Sequence, residues 1–278
     1  MTQPEEIPRV DRISRERFER EYLFPLKPVV VRGALDGWPA FGKWSHEFFK
    51  ERYASARVNV LRMPEQGEAE PVIEPSTMAE YLGSFEAAAW PNPRRPPYVE
   101  FHQFLLSHAE LEQDLGELEF YRNWIDPLPR AITRFMYDWT NLLISPRGAV
   151  YNLHADGLGV HACVLQFEGR KRFVLYPPDQ AENLYEGRVD PDAPDLARFP
   201  KFAEARGRME ALLDPGDTVF VPCRWWHQVT TLDNSVSVVQ HGVNAVNWAS
   251  FLGNMLVRMP VDLARELTRR GRSRASGS

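Results

Sequence analysis

The chain has 278 residues, 44% of them hydrophobic and 26% charged, with 33 Lys and Arg against 38 Asp and Glu for a net charge of -5. This composition excludes wholesale disorder, a collagen-like chain and a coiled coil. The acidic balance weighs against a general nucleic-acid binder and leaves only a local basic patch open.

In chain order, Phe18, Tyr22 and Leu23 share one helical face, and Pro28-Val-Val-Val-Arg-Gly33 reads as a short strand stopped by glycine. Ser45 is placed to N-cap a helix over about 46–53 that buries Phe48 and Phe49. Arg57 to Met63 alternates like a strand, Pro75 to Phe85 resembles a short helix, and 87–97 is a loop. A strand over 98–104 and a mostly helical acidic stretch over 106–118 follow. The second half is a series of short apolar strands, about 139–145, 149–154, 161–168, 171–176, 218–221, 226–231 and 235–243. Turn signals such as Glu168-Gly169 and Asp214-Pro-Gly-Asp217 separate them, which predicts an antiparallel barrel or sandwich. A polar, proline-rich insert over 179–210 has the length of a lid or binding loop. Residues 245–270 return to helix, with Trp248, Phe251, Leu252, Met255 and Leu256 as an apolar stripe, and 271–278 are expected to be a disordered tail. One domain over 1–270 is expected, with an N-terminal part over 1–135, a barrel over 136–244 and C-terminal helices over 245–270.

Cys163 and Cys223 cannot form a disulfide framework or a CxxC pair. The N-terminal segment lacks the apolar run of a signal peptide. No stretch approaches the ~18 apolar residues of a membrane span. A cytoplasmic, membrane-free protein is the expectation.

The chemistry concentrates among the histidines. In Asn152-Leu-His154-Ala-Asp156, strand alternation aims His154 and Asp156 at one point. A further imidazole, His227, follows Val221-Pro-Cys-Arg-Trp-Trp. Two imidazoles and a carboxylate suit the facial triad of non-haem Fe(II), although Zn(II) uses the same donors. H-x-D alone is a weak signal, and a hydrogen-bonded surface pair is its ordinary explanation. On the strand over 171–176, Lys171 shares a face with Phe173 and Leu175, while Arg170 and Arg172 lie on the other with Val174 and Tyr176. Lys171 is either an edge lysine that snorkels out or a buried cation that takes an anion.

The run from His154-Ala-Asp156 through Gln166-Phe-Glu-Gly-Arg-Lys-Arg-Phe-Val-Leu-Tyr-Pro-Pro178 to Asp214-Pro-Gly-Asp-Thr-Val-Phe-Val-Pro-Cys-Arg-Trp-Trp-His227 resembles the cupin-like JmjC oxygenases. The nearest subgroup is the asparaginyl hydroxylase type known as factor inhibiting hypoxia-inducible factor. Pro28 to Ala34, Trp38-Pro-Ala40 and Trp44-Ser45 resemble its N-terminal region. The resemblance implies a mainly β fold with added helices, a double-stranded β-helix of jelly-roll type with an N-terminal α/β region and C-terminal helices. It implies Fe(II), O2 and 2-oxoglutarate as cofactor and cosubstrates. His154, Asp156 and His227 would be iron ligands and Lys171 the anchor of the distal 2-oxoglutarate carboxylate. It also suggests a homodimer through the C-terminal helices. The chain departs from the pattern at Ala162, where an Asn is frequent, at Gln240 and His241 near another frequent Asn, and at Tyr151, where Thr is frequent. The segment between Asp156 and Gly169 is also about two residues longer. Tyr151 is expected to donate to 2-oxoglutarate in place of the Thr. His161, His241 and Gln240 are candidates for substrate contact or ligand orientation, with structural histidines as the plain alternative.

The expected reaction is hydroxylation of a C–H bond, on a protein or peptide side chain, with succinate and CO2 released. The alternatives are an oxygenase acting on a small metabolite or a tRNA base, a cupin metalloenzyme without 2-oxoglutarate, and a non-catalytic binding module.

Overall fold

Val29, Val30 and Val31 cannot all point one way in a strand. Val29 and Val31 enter one hydrophobic core and Val30 another, so this strand is buried on both faces. The same division repeats along the sheet and defines the architecture. The computed structural model describes residues 4–63, 72–85, 99–101, 104–129 and 139–257.

Among these residues the strands are β1 (Glu5–Glu6), β2 (Arg9–Asp11), β3 (Val29–Arg32), β4 (Arg57–Arg62), β5 (Val72–Thr77), β6 (Val99–Phe101) and β7 (Thr140–Ser145). They continue as β8 (Val150–His154), β9 (His161–Glu168), β10 (Lys171–Tyr176), β11 (Met209–Leu213), β12 (Thr218–Val221), β13 (Trp226–Thr231) and β14 (Ser235–Gly242). One sheet has the order β1-β11-β10-β13-β8 and the other β2-β3-β12-β9-β14-β7-β6, while β4 and β5 pair separately. Pairing is antiparallel except for the short contacts β1–β11 and β2–β3. The two large sheets face each other over a core that includes Val30, Leu143, Val164, Phe173, Leu175, Val219 and Val229. This is the mainly β, jelly-roll arrangement expected.

Each sheet is also covered from outside. The outer face of the β9-containing sheet (Cys163, Leu165, Phe220, Val236, Val238) lies under the N-terminal region, including Phe18, Trp44, Phe49 and Tyr81. Short helices contribute: α1 (Arg15–Phe18), α2 (His46–Arg52), α3 (Met78–Gly83) and α4 (Phe104–Ser107). Ser45 caps α2 as its sequence predicts, its Oγ accepting from the Phe48 N–H. The helix expected from Pro75 instead starts at Met78, because Thr77 and Glu80 form a capping box and the preceding residues pair with β4. The stretch over 106–118 is helical only in α4 and a 3-10 turn over Ala109–Asp114.

The insert over 179–210 is anchored on the barrel. Its Leu184, Val189, Phe199 and Phe202 pack on Leu153, Val174 and Tyr176, the outer face of the other sheet. A last helix, α5, is described over 248–257, and the rest of the expected C-terminal helical stretch and tail lies outside the described residues, as does the loop over 87–97. Phe251 is fully buried with Ile125, Val160 and Val243, whereas Leu252 and Leu256 are exposed, so the apolar stripe divides between two faces. No helix among the described residues is long and apolar enough to cross a membrane.

Because Phe202 is buried in a sealed outer core, Phe202→Ala should lower unfolding stability by about 3–5 kcal/mol. Denaturant unfolding will show this as an earlier midpoint.

Candidate active site

His154 ends β8 and His227 lies near the start of β13, directly opposite it in the ladder. The register then shifts: Val229 pairs with Tyr151, so β8 carries one residue more than β13 over this interval. This is a β-bulge, which resets the alternation of the bulged strand. Tyr151 and His154, three positions apart, therefore face the same side, with ring centroids 4.6 Å apart. Leu153 between them turns outward into the core under the insert.

Both imidazoles are aimed by their own backbone. His154 Nδ1 lies 2.8 Å from the Asn152 carbonyl and His227 Nδ1 3.2 Å from the Trp225 carbonyl. A carbonyl only accepts, so each Nδ1 carries a proton and Nε2 is the nitrogen left to bind a metal. These Nε2 atoms stand 3.8 and 4.0 Å from Asp156 Oδ1. The three ligand atoms lie within 4.8 Å of one another. Asp156 sits beyond the end of β8, at the start of a tight turn over Gly157–Gly159. Strand alternation therefore does not itself place it, yet it converges with the histidines as the H-x-D spacing predicts. Burial opposes its charge, but His227, His241 and His154 outweigh burial and hold its pKa below the ordinary carboxylate range. The donor set is two imidazoles and one carboxylate, which fits a divalent first-row metal.

Lys171 begins β10 and is fully buried. Its face-mates Phe173 and Leu175 belong to the core between the sheets, and Val174 and Tyr176 to the core under the insert. The two faces are thus those that its sequence predicts. Arg170 pairs with Asp233 at the surface, and Arg172 pairs with Asp192 on the outer side. Nζ of Lys171 donates to Ser237 Oγ at 2.6 Å. Desolvation pushes its pKa down to about 7. Lys171 pairs with Thr231 and Leu175 with His227. At about 3.3 Å per residue, the lysine backbone is roughly 13 Å along the strand from the level of His227. A buried cation on the same strand that faces His227 is the kind of group that would take an anion, so the residues also suit a carboxylate-bearing ligand at the metal face.

The remaining candidates separate by strand face. On β14, Val239 points into the core between the sheets and Val236 and Val238 point away. Ser237 and His241 therefore share the inner face, and Gln240 lies on the outer one. His241 approaches Asp156, its Nε2 3.7 Å from Oδ1. His161 stands behind the sheet beside Phe220 and Tyr121, and its Nδ1 accepts from the Cys223 N–H at 3.0 Å. Burial lowers its pKa to about 4, so it is neutral. The structure thus gathers His154, Asp156, His227, Tyr151 and His241, with Lys171 deeper inside, and keeps His161 and Gln240 apart from them. Ser237 escaped notice in the sequence, although Ser235 and Ser237 alternate with valines in Ser235-Val-Ser-Val238. A second carboxylate–imidazole group, His46, Glu47 and Glu168, lies outside the barrel. Glu168 there accepts from the His46 backbone at 2.8 Å and so caps α2.

The barrel and its three-residue donor set define the class. The chain matches the family described as a cupin-like domain over residues 15–247, and it belongs to that family. It is 30% identical over 241 residues to lysine-specific demethylase 8 of Xenopus tropicalis, covering 84% of this chain and 52% of that protein. It is 28% identical over 257 residues to the human bifunctional peptidase and (3S)-lysyl hydroxylase JMJD7, covering 80% and 78%. It is 24% identical over 263 residues to the 2-oxoglutarate and iron-dependent oxygenase JMJD4 of Gallus gallus, covering 87% and 61%. The chain spans about half the length of the frog relative.

A cation desolvated in the free protein destabilises it. The folded pKa of Lys171, about 7, lies below its ordinary value of 10.5. Below pH 7 the lysine is charged in both states and the burial cost is full. Between the two values the unfolded state binds the extra proton, so the contribution to stability improves as pH rises. Lys171→Met should therefore be more stable than the wild type near pH 6, with the difference shrinking toward pH 10. Chemical unfolding across that range measures it.

Proposed function

We propose that the chain is an Fe(II)- and 2-oxoglutarate-dependent dioxygenase that hydroxylates a C–H bond on a protein or peptide side chain. The observation that carries this reading is the fully buried Lys171 set behind a two-histidine, one-carboxylate face. His154, Asp156 and His227 would hold the iron on one side and leave its other positions open. Lys171, braced by Ser237, would take the distal carboxylate of 2-oxoglutarate, and Tyr151 would donate to the cosubstrate beside His154. The bound iron and cosubstrate supply the oxidising power, coupling decarboxylation to succinate and CO2 with C–H oxidation. The protein's part is to fix both groups and exclude water from the core around Phe173 and Leu175.

The names of the relatives above, a lysine-specific demethylase and a lysyl hydroxylase, favour a lysine side chain as substrate. The asparaginyl subgroup rests on the sequence motifs alone. A cupin metalloenzyme without 2-oxoglutarate would have no use for Lys171. A small metabolite or a tRNA base remains the alternative substrate. We also place residues 1–270 in one domain and, by default, the protein in the cytoplasm, a reducing setting with which two buried free cysteines are compatible.

Anaerobic addition of Fe(II) and 2-oxoglutarate should produce a weak visible charge-transfer band, and its absence would exclude the cofactor pairing. Asp156→Ala should abolish conversion of 2-oxoglutarate to succinate. Losing the Lys171 charge removes a hydrogen bond worth about 1.5–3 kcal/mol. Lys171→Met should thus weaken 2-oxoglutarate binding by roughly 10- to 150-fold, while Arg170→Met and Arg172→Met leave it near normal. Isothermal titration with 2-oxoglutarate separates these outcomes.

The exposed Leu252 and Leu256 on α5 suit a homodimer. Sedimentation should give a dimer mass at micromolar concentration and a monomer for the Leu252→Asp, Leu256→Asp double variant. A monomeric wild type removes the dimer.

A further inference from the structure

We propose that His241 is a positioning residue that aims the Asp156 carboxylate, an inference that rests on the metal-binding reading of the site. The two histidine ligands are each fixed by a hydrogen bond to their own backbone. Asp156 is placed differently. It stands outside any strand, at the edge of a turn whose Leu158 takes a left-handed φ of 58°. Neither a ladder nor a helix sets its side-chain direction, so its aim must come from a neighbouring side chain.

His241 is that neighbour. It is buried, and its Nε2 lies 3.7 Å from Oδ1, the same oxygen that faces His154 and His227. Yet it falls outside the set of ligand atoms that are mutually within 4.8 Å. It therefore touches Asp156 without closing on both histidines, as a partner of the carboxylate more than a fourth corner of the donor set. A carboxylate oxygen has two lone pairs. One can face a metal while the other accepts from an imidazole N–H after a closure of roughly half an ångström or more. Held in this way, the carboxylate cannot turn to occupy a second metal position.

The imidazole is itself on a rigid mount. The His241 N–H donates to the Trp139 carbonyl at 2.7 Å, and the His241 carbonyl accepts from Asn123 Nδ2 at 3.2 Å. Asn123 Oδ1 in turn accepts from the Val243 N–H at 3.0 Å. The inner face of β14 thus serves both halves of the site, through Ser237 on Lys171 and His241 on Asp156.

The test compares wild type with His241→Phe, His241→Gln and Asp156→Ala by anaerobic Mn(II) titration, with free Mn(II) read by electron paramagnetic resonance. Partners that orient metal ligands typically contribute about 10- to 100-fold in metal affinity, and His241→Phe should lose that much. His241→Gln, whose amide nitrogen reaches the Nε2 position, should recover most of it. Pulsed resonance on the Cu(II) form counts bound imidazoles, and the count should be two in both wild type and His241→Phe. If His241→Phe does not fold, His241→Leu takes its place with the same expectation. Unchanged Mn(II) affinity would overturn the proposal, as would an imidazole count that drops from three to two. If Asp156→Ala binds Mn(II) as tightly as wild type, the metal centre itself is misassigned and the proposal falls with it.

Discussion

A lysine ammonium closed off from water between two β-sheets is the constraint around which this barrel is organised. Burial alone lowers the affinity of Lys171 for its proton. Its surroundings answer with Ser237 across the core and with apolar neighbours on its own strand. Arg170 and Arg172, on either side in sequence, must then project the other way, where Asp233 and Asp192 receive them. One misplaced residue in β10 would exchange these roles and bury two guanidinium groups in place of one ammonium.

Covering both sheets from outside allows such a polar interior. The N-terminal region lies over one sheet and the insert over 179–210 over the other. The walls of the barrel are therefore buried on both faces and are held apart from solvent. Inside this shell the cation sits along a strand and the carboxylate beyond a strand end, so the two charges are set by different kinds of structure. That difference explains why Lys171 is positioned by its strand whereas Asp156 depends on its neighbours.

Much of this was legible in the sequence. The runs of β3, β9, β10, β12 and β14 are apolar and closed by Gly or Pro signals, and Ser45 announces α2. His154, Asp156, His227 and Lys171 stand out because charged or imidazole groups interrupt strand patterns. Other features carry no local signal. The segment Met209-Glu-Ala-Leu-Leu213 has the composition of a helix, and only its place between β1 and β10 makes it a strand. Pro75 and Ser76 belong to a strand because β4 pairs with them. Whether His241 or Gln240 faces inward depends on the register of β14, which is a property of the assembled sheet.

The bulge in β8 reaches beyond geometry. Inward and outward positions change phase at Asn152, between Tyr151 and His154. A relative whose strand lacks the extra residue would match this chain only with a gap inside the strand, beside the first histidine. Placing that gap in the flanking loop, where insertions usually collect, would pair Tyr151 with an outward residue. The substitution record at that column would then describe the wrong side of the sheet.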